Sequence, residues 1–237
     1  MLTVKRNVLV TGASSGIGRA VAKYLLQQGH TVIGISRDCT KFTQPMPCFT
    51  AVELDLSQIH ELPKKLHDLQ QTFSDIDAVV FCAGAGQFGS IEEFSYSHIE
   101  ALLNLNFTSQ VFLTKALLPQ PKNKGSGDLI FIGSEAALKG NRKGAIYCAS
   151  KFALRGFTQA LREDCGKSNV RVCLINPGMV KTPFFEPLTF EPGDHESNSL
   201  CPEDVAQAVA YVLSASPQIV IDEINLSPLN KVVKFKK

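Results

Sequence analysis

Near its N-terminus the sequence reads Asn7-Val8-Leu9-Val10-Thr11-Gly12-Ala13-Ser14-Ser15-Gly16-Ile17-Gly18, a short apolar run followed by a glycine-rich turn. An apolar run of this length predicts a buried strand, and the glycines predict a tight turn into a helix. Because the N-terminus of a helix presents unpaired N–H groups and a positive dipole end, we expect this turn to bind a pyrophosphate. A glycine-rich turn without a ligand is the alternative, since the spacing differs from the G-x-G-x-x-G of many dinucleotide-binding proteins.

The rest of the chain alternates short apolar runs with longer helical patterns. We predict strands at residues 8–10, 31–35, 49–54, 78–81, 129–132, 171–175 and 218–221. We predict helices at residues 17–28, 59–72, 98–117, 146–165 and 202–214. Continuously apolar strands that alternate with helices indicate βαβ units, in which a parallel sheet is covered by helices on both faces. The expected fold class is therefore α/β, and the length of 237 residues suits a single domain over residues 1–237.

Residues 183–200 form a long stretch without a clear strand or helix pattern. They include Pro183, Pro187, Pro192 and Gly193 among aromatic side chains. Because a long loop inside a compact domain usually has a function, we expect a substrate lid at about residues 183–200. The segment is apolar at its start and acidic later, which disfavours a strongly anionic substrate.

The composition is that of an ordinary globular protein, with 44% hydrophobic and 19% charged residues. A net charge of +2 is too mild for a nucleic-acid-binding protein, and we expect the basic residues at 231–237 to form a solvated terminus. The five histidines and seven cysteines are scattered, so we expect neither a metal site nor disulfides.

The same sequence predicts a cytoplasmic location. No apolar run approaches the ~18 residues needed to span a bilayer, so we expect no membrane interaction. The first strand is expected to begin by Asn7, which leaves no room for a signal peptide. Several cysteines lie in apolar runs, where a free thiol packs as a small hydrophobic group, and this suits a reducing compartment.

The end of the second predicted strand indicates which nucleotide would bind. Proteins that prefer NAD usually place Asp or Glu there, where the carboxylate contacts the ribose hydroxyls and repels a 2′-phosphate. This strand instead ends with Ser36 and Arg37, and a guanidinium can bind a phosphate through two hydrogen bonds. The pattern favours NADP(H) over NAD(H), with an ordinary surface arginine as the alternative.

Four polar side chains are candidates for catalysis. Tyr147 and Lys151 are four residues apart on a predicted helix, so they share one face. A tyrosine with its ordinary pKa of ~10 is a poor base, but a neighbouring ammonium favours the phenolate and permits general acid–base catalysis. Ser134 follows a predicted strand and would hydrogen-bond a substrate oxygen, while Asn106 could hold a water next to Lys151. Isolated Tyr-x-x-x-Lys pairs are common on ordinary helices, so the prediction depends on the combination.

These motifs make the chain resemble a classical short-chain dehydrogenase/reductase from end to end. The family's T-G-x-x-x-G-x-G matches residues 11–18, and its Y-x-x-x-K, serine and asparagine match Tyr147 with Lys151, Ser134 and Asn106. The resemblance implies a Rossmann-type, doubly wound domain with a seven-stranded parallel sheet. It also implies a homodimer or homotetramer packed through residues 98–117 and 146–165.

The resemblance further implies which residues bind the cofactor. The family's adenine-contacting aspartate corresponds to Asp55, and its P-G motif with the threonine beyond corresponds to Pro177, Gly178 and Thr182. The expected set is Gly12, Ser14, Ser15, Gly16, Ile17, Gly18, Arg37, Asp55, Leu56, Ala83, Gly84, Tyr147, Lys151, Pro177, Gly178, Val180 and Thr182. One motif departs from the family, because its N-N-A-G reads Phe81-Cys82-Ala83-Gly84 here, without the asparagines that tie neighbouring strands. The match extends loosely to the branch with NADP-dependent 3-hydroxy acid dehydrogenases.

Three functions are consistent with these residues. The first is an NADP(H)-dependent oxidoreductase that transfers a hydride between the nicotinamide and a small carbonyl or hydroxyl substrate, with Tyr147 as general acid/base. The second is a non-catalytic redox sensor that binds NADP(H), which has no need of Ser134, Tyr147 and Lys151. The third is non-redox chemistry on a sugar nucleotide, although relatives of that kind are usually longer. The sequence does not specify the substrate.

Overall fold

The computed structural model describes residues 5–41 and 47–236, in which helices surround a large β-sheet and a small second sheet lies apart. The strands are β1 (Asn7–Thr11), β2 (Thr31–Ser36), β3 (Phe49–Glu53), β4 (Ala78–Phe81), β5 (Gly127–Ile132), β6 (Val170–Pro177), β7 (Phe190–Pro192), β8 (Glu223–Leu226) and β9 (Val233–Phe235). The large sheet has seven parallel strands in the order β3-β2-β1-β4-β5-β6-β8. The predicted seven-stranded parallel sheet is confirmed.

The strand order changes direction between β1 and β4. After β1 the chain adds β2 and β3 on one side, and then returns to place β4 on the other side. Because parallel strands are joined by right-handed crossovers, this reversal puts helices on opposite faces and opens a crevice at the carboxyl ends of β1 and β4. The glycine-rich turn follows β1 and therefore borders that crevice.

Helices cover both faces of the large sheet. They are α1 (Gly16–Gln27), α2 (Leu62–Thr72), α3 (Tyr96–Leu103), α4 (Ser109–Leu117), α5 (Pro119–Lys124), α6 (Ala145–Cys165) and α7 (Pro202–Ser214). Leu9 of β1 packs in one core cluster with residues of α2, α4 and α6. Its neighbours Val8 and Val10 pack in the other cluster, with residues of α1 and α7. Consecutive side chains thus enter opposite cores, which explains why the strands are continuously apolar.

Three predicted elements differ from the structure. The last strand of the large sheet is β8, whereas we predicted residues 218–221, and Ile219 in that run is 50% exposed. Pairing with β6 decides the strand, where the Asn176 side-chain amide donates to the Asn225 side-chain oxygen over 3.0 Å. Hydropathy alone cannot identify such a partner. The helix predicted at 98–117 consists of α3, a π-helical turn over Asn104–Thr108, and α4. Helix α2 begins at Leu62 instead of residue 59.

The segment at residues 183–200 also differs from its prediction. We expected no strand there, but β7 lies within it and pairs antiparallel with β9 near the C-terminus. The basic residues at 231–236 are therefore not a free solvated terminus, and residue 237 lies outside the described residues. The pairing joins positions more than 40 residues apart, as Phe190 opposite Phe235 shows, so local sequence patterns could not predict it.

Candidate active site

The glycine-rich turn after β1 has the tight geometry that its sequence predicts. Gly12 and Gly16 have φ values of 66° and 50°, in the left-handed region that favours glycine. A Cβ atom on Gly18 would overlap the backbone carbonyl of Gly12, so helix α1 packs closely against the end of β1. The helix N-cap, Ser15, makes no side-chain capping bond. The first N–H groups of α1 are thus oriented to bind an anion.

A large cavity lies along the carboxyl ends of the strands. Its volume is about 1140 Å³, which accommodates a dinucleotide together with a small second molecule. Most of the expected site residues line it: Gly12, Ser14, Ser15, Gly16, Ile17, Gly18, Arg37, Leu56, Ala83, Gly84, Ser134, Tyr147, Lys151, Pro177, Gly178, Val180 and Thr182. Asp55 and Asn106 are not among its lining residues. The turn faces the far wall closely, because a Cβ on Gly16 would lie 3.5 Å from the Thr182 side chain.

Ser36 and Arg37 line one end of this cavity. Arg37 is exposed, whereas Ser36 is buried at the end of β2. The Asp38 carboxylate accepts hydrogen bonds from the backbone N–H and the hydroxyl of Thr40, so it is oriented within its own loop and does not line the cavity. The charged side chain nearest this end is therefore a cation, as the sequence predicts.

Asp55 closes a local turn next to the cavity. Its carboxylate accepts a hydrogen bond of 2.9 Å from the Ser57 N–H and one of 2.7 Å from the Ser57 hydroxyl. Burial raises the pKa of Asp55, but these hydrogen bonds and the charge of Arg37 together hold the pKa below its ordinary value. A direct contact of Asp55 with adenine stays a prediction.

Thr11 connects the strands where the Asn-Asn pair is missing. Its hydroxyl accepts hydrogen bonds from the N–H groups of Cys82 and Ala83, at 2.9 and 3.0 Å. These bonds tie the end of β1 to the loop after β4 through the backbone of that loop. The side chain of Cys82 is free to line the cavity, and burial raises the pKa of its thiol to about 12, so it stays protonated.

Ser134, Tyr147 and Lys151 come together in the middle of the cavity wall. Ser134 follows β5, and its hydroxyl accepts a 3.1 Å hydrogen bond from Ala136 N–H and lies near enough to the Tyr147 phenol to lower the pKa of that group. Lys151 is 5% exposed, and its Nζ donates a 3.1 Å hydrogen bond to the carbonyl oxygen of Ile132. The same Nζ lies 5.9 Å from the centre of the Tyr147 ring, as expected for side chains one helical turn apart.

The electrostatics of the pair differ from our sequence-based expectation. We expected the Lys151 ammonium to lower the pKa of Tyr147. Instead, burial raises the pKa of Tyr147 to about 12, and the hydrogen bond from Ser134 offsets this only in part. Burial also lowers the pKa of Lys151 to about 8. Both groups are thus shifted toward their neutral forms, because burial disfavours the charged form of each.

Asn106 supports the site from the π-helical turn. Its side-chain oxygen accepts a 2.9 Å hydrogen bond from Ala85 N–H, and its amide donates to Ala85 O at 2.9 Å and to Ser150 Oγ at 3.3 Å. These bonds join the loop after β4 to helix α6, one residue before Lys151. A water held between Asn106 and Lys151 stays a prediction.

The other end of the cavity is aromatic. Rings of Phe88 and Tyr147 have centroids 5.0 Å apart, and those of Phe88 and Phe190 are also 5.0 Å apart at nearly right angles. Phe184 lies 6.0 Å from Tyr147, and a Cβ on Gly86 would overlap its ring. The Tyr147 phenol is therefore one member of a continuous ring cluster, which is suited to an apolar ligand.

Sequence reasoning missed two parts of the cavity wall. One is the loop with Asn141, Arg142 and Lys143, and the other is the C-terminal set Lys231, Val233 and Phe235. Lys143 has a φ of 59°, which is unusual for lysine and not visible in the sequence. The alternation of apolar and basic residues at 232–236 was a weak strand signal that could have identified the second part.

Across the described residues, no helix is long and apolar enough to cross a membrane. Within the same part of the chain, no group of three or more His, Cys, Asp or Glu side chains is placed to hold a metal ion.

Comparisons with known proteins agree with this geometry. A family model described as short chain dehydrogenase matches residues 6–192. An uncharacterized oxidoreductase of Staphylococcus aureus (strain MRSA252) is 30% identical over 226 residues, covering 93% of this chain and 96% of the relative. The structure of serine dehydrogenase from Escherichia coli has 28% identity and a TM-score of 0.80, covering 93% of this chain and 96% of that one. A metagenomic short-chain oxidoreductase in complex with NADP has 25% identity and a TM-score of 0.80, covering 98% and 100%.

The sequence motifs, the parallel sheet and the glycine-lined cavity thus occur together in one chain that matches the family model over most of its length. The family's enzymes are oxidoreductases that use a nicotinamide cofactor. This protein belongs to the short-chain dehydrogenase family.

Proposed function

We propose that this protein is an NADP(H)-dependent oxidoreductase that transfers a hydride between the nicotinamide and a small carbonyl or hydroxyl substrate. The observation that carries the proposal is the buried phenol of Tyr147, which lies with Ser134 in the wall of the large cavity, one helical turn from Lys151. A sensor without turnover would have no need of this arrangement.

The residues present fit a nicotinamide dinucleotide. The turn at residues 12–18 would hold the pyrophosphate, and Pro177, Gly178, Val180 and Thr182 would hold the nicotinamide end. When bound, the nucleotide supplies the hydride in reduction and accepts it in oxidation. Arg37 has no ion pair among the described residues and lines the opposite end, which supports a contact with a 2′-phosphate. The NADP complex of the metagenomic relative also supports this choice.

Tyr147 then acts as the general acid or base. Burial keeps its phenol protonated at neutral pH, so it can donate a proton to a carbonyl oxygen as that oxygen gains charge. Ser134 is placed to donate a hydrogen bond to the same oxygen, which stabilises the developing charge. In the oxidation direction the phenol must first lose its proton. The ammonium of Lys151 and the positive charge of an oxidised nicotinamide both favour that loss.

The test is a spectrophotometric screen of ketones, aldehydes and hydroxy acids with NADPH or NADP+, followed by the Tyr147→Phe variant. We expect this variant to bind NADPH normally and to lose about a thousandfold in kcat, within the range for general acid–base catalysis. Tyr96→Phe is the matched control, because Tyr96 is 94% exposed and away from the cavity. Normal turnover by Tyr147→Phe would exclude the phenol mechanism. Tight NADPH binding without turnover on any substrate would favour the redox sensor.

We infer the setting of the enzyme from the same resemblance. We propose a cytoplasmic homodimer or homotetramer packed through α3, α4 and α6, which acts on a small molecule and not on nucleic acid. Light scattering measures the oligomeric state, and a monomer at micromolar concentration would contradict the proposal.

A further inference from the structure

The C-terminal residues 230–236, which we call the strap, lie across residues 183–200, which we call the lid segment. Backbone hydrogen bonds join the two along their length: Asn230 N–H donates to Ser197 O at 2.9 Å, Gly193 N–H to Val232 O at 3.0 Å, and Lys236 N–H to Thr189 O at 2.8 Å. Strands β7 and β9 are the paired part of this contact. The strap is therefore an ordered element of the molecule.

Three lysines of the strap contact neighbouring segments through their side chains. Lys234 Nζ contacts the two carboxylate oxygens of Asp194 at 2.7 and 2.9 Å. Lys236 Nζ donates to the backbone oxygen of Glu186 at 3.1 Å. Lys231 forms an ion pair with Glu135, the residue directly after Ser134. The last contact connects the strap to the turn that contains Ser134 and Glu135.

One face of the strap lines the cavity and the other does not. Val233 and Phe235 are two residues apart on β9 and line the cavity, whereas Lys234 between them does not. This is the alternation expected of a strand. Phe235 is 73% exposed, so its ring has few contacts within the protein. A large exposed aromatic side chain at the mouth of an aromatic cavity is typical of a ligand-binding surface.

The charged side chains at the strap end of the cavity are either paired or exposed to solvent. Glu135 forms an ion pair with Lys231, and the exposed Glu93 carboxylate accepts a 3.0 Å hydrogen bond from the Ser90 N–H. Arg142 and Lys143 line the cavity and have no ion-pair partner among the described residues, but both are exposed, so solvent screens their charge. The half-buried rings of Phe88 and Phe184 form the surface next to Tyr147.

We infer that the strap is the outer wall of the substrate site, and that this site selects a neutral aromatic carbonyl compound or the corresponding alcohol. Val233 and Phe235 are the residues of the strap that determine this specificity. The inference rests on the proposed function for the identity of the reacting group. The aromatic preference rests separately on the ring cluster and the strap.

The test measures binding to enzyme saturated with oxidised NADP, a complex in which a ketone cannot react. The probes are acetophenone, 2-butanone and pyruvate, titrated by calorimetry. We expect acetophenone to bind at least about tenfold more tightly than the other two. Phe235→Ser should weaken acetophenone binding about tenfold and 2-butanone binding less than about threefold. Lys234→Ser is the matched control on the opposite face, and since exposed ion pairs contribute little, it should leave both affinities nearly unchanged.

A shortened chain provides a second test of the strap. A chain that ends at Asn230 should lose the acetophenone preference. It should keep its NADPH affinity, because no residue of the strap is expected to bind the nucleotide. Pyruvate binding as tight as that of acetophenone, or an unchanged preference in Phe235→Ser and in the shortened chain, would overturn the inference. Failure of the proposed function is a separate result, because it appears as absent turnover with NADPH. If oxidised NADP does not bind, the same titrations on the free protein still compare the probes.

Discussion

The nucleotide end and the substrate end of the cavity are built from different kinds of chain. The nucleotide end consists of loops that directly follow parallel strands, such as the turn at residues 12–18 after β1 and Arg37 after β2. The substrate end combines the lid segment with the strap, which are paired as Phe190 opposite Phe235. The order of the parallel strands is enough to bring the loops of the nucleotide end together. The substrate end requires a contact between two segments that are distant in sequence, which pair in the small sheet.

The family model reflects the same division. It matches residues 6–192, which include every expected nucleotide-binding residue and end within the lid segment. The strap lies beyond that match. The family model therefore covers the nucleotide end in full and does not extend to the strap.

The largest expected effect is a loss of NADPH affinity when one methyl group is added to the glycine-rich turn. In Gly18→Ala the new Cβ would overlap the backbone carbonyl of Gly12, and this backbone cannot rotate away as a side chain would. Displacement of a packed turn costs about 1–3 kcal/mol. We expect NADPH to bind up to about a hundredfold more weakly, measured by fluorescence titration.

Gly156→Ala is the control for this substitution. Gly156 is an exposed glycine in α6, and a Cβ on it would have no neighbour within 4 Å. Alanine favours the helix, so this variant should bind NADPH normally and be slightly more stable. Equal NADPH affinity in the two variants would show that the turn does not bind the nucleotide.

The second largest effect is expected at Arg37, the proposed contact of the 2′-phosphate. In Arg37→Ala the loss of a charge-assisted hydrogen bond costs about 1.5–3 kcal/mol, so NADPH affinity should fall about thirtyfold. The affinity for NADH, which has no 2′-phosphate, should change little. Lys41→Ala is a nearby control that removes an exposed cation outside the cavity lining. Equal affinity of the unaltered enzyme for NADPH and NADH would contradict the assignment.

The smallest expected effect is a change in the free energy of unfolding at Lys151, which lies between the two ends of the cavity. Burial lowers its pKa from 10.5 to about 8, so below pH 8 the folded protein holds a charged lysine at a cost of about 3 kcal/mol. Lys151→Met removes this cost but leaves the Ile132 carbonyl without its partner, which costs about 1–3 kcal/mol. We expect the variant to be inactive and about 1 kcal/mol more stable at pH 7, measured by urea unfolding.

The sign of this effect should change with pH. Between pH 8 and 10.5 the unfolded lysine is still protonated while the folded one is neutral, so the unaltered protein gains stability as the pH rises. The advantage of Lys151→Met should therefore shrink over this interval and then reverse. A stability difference that is independent of pH would show that Lys151 is not buried as a charged group.

Much of the fold and most of the candidate site were predictable because local patterns carry them. The βαβ alternation predicted the seven-stranded sheet, and strand ends located Gly12, Arg37 and Ser134 correctly at the cavity. The sequence misplaced β8, because its pairing with β6 decides that strand. It also misjudged the pKa of Tyr147, since the burial that raises it to about 12 depends on packing by distant residues.

The sequence by itself determined the family, the position of the nucleotide-binding turn and the spacing of Tyr147 and Lys151. These features depend on residues within one turn or one helix, where chemistry and period are visible in order. Only the tertiary structure decided that the strap closes the substrate end, because a basic, apolar C-terminal sequence is equally consistent with a free tail. Strand pairing between residues 190–192 and 233–235 satisfies backbone hydrogen bonds that neither segment satisfies alone. Long-range complementarity of this kind is a property of two segments together, and no local pattern expresses it.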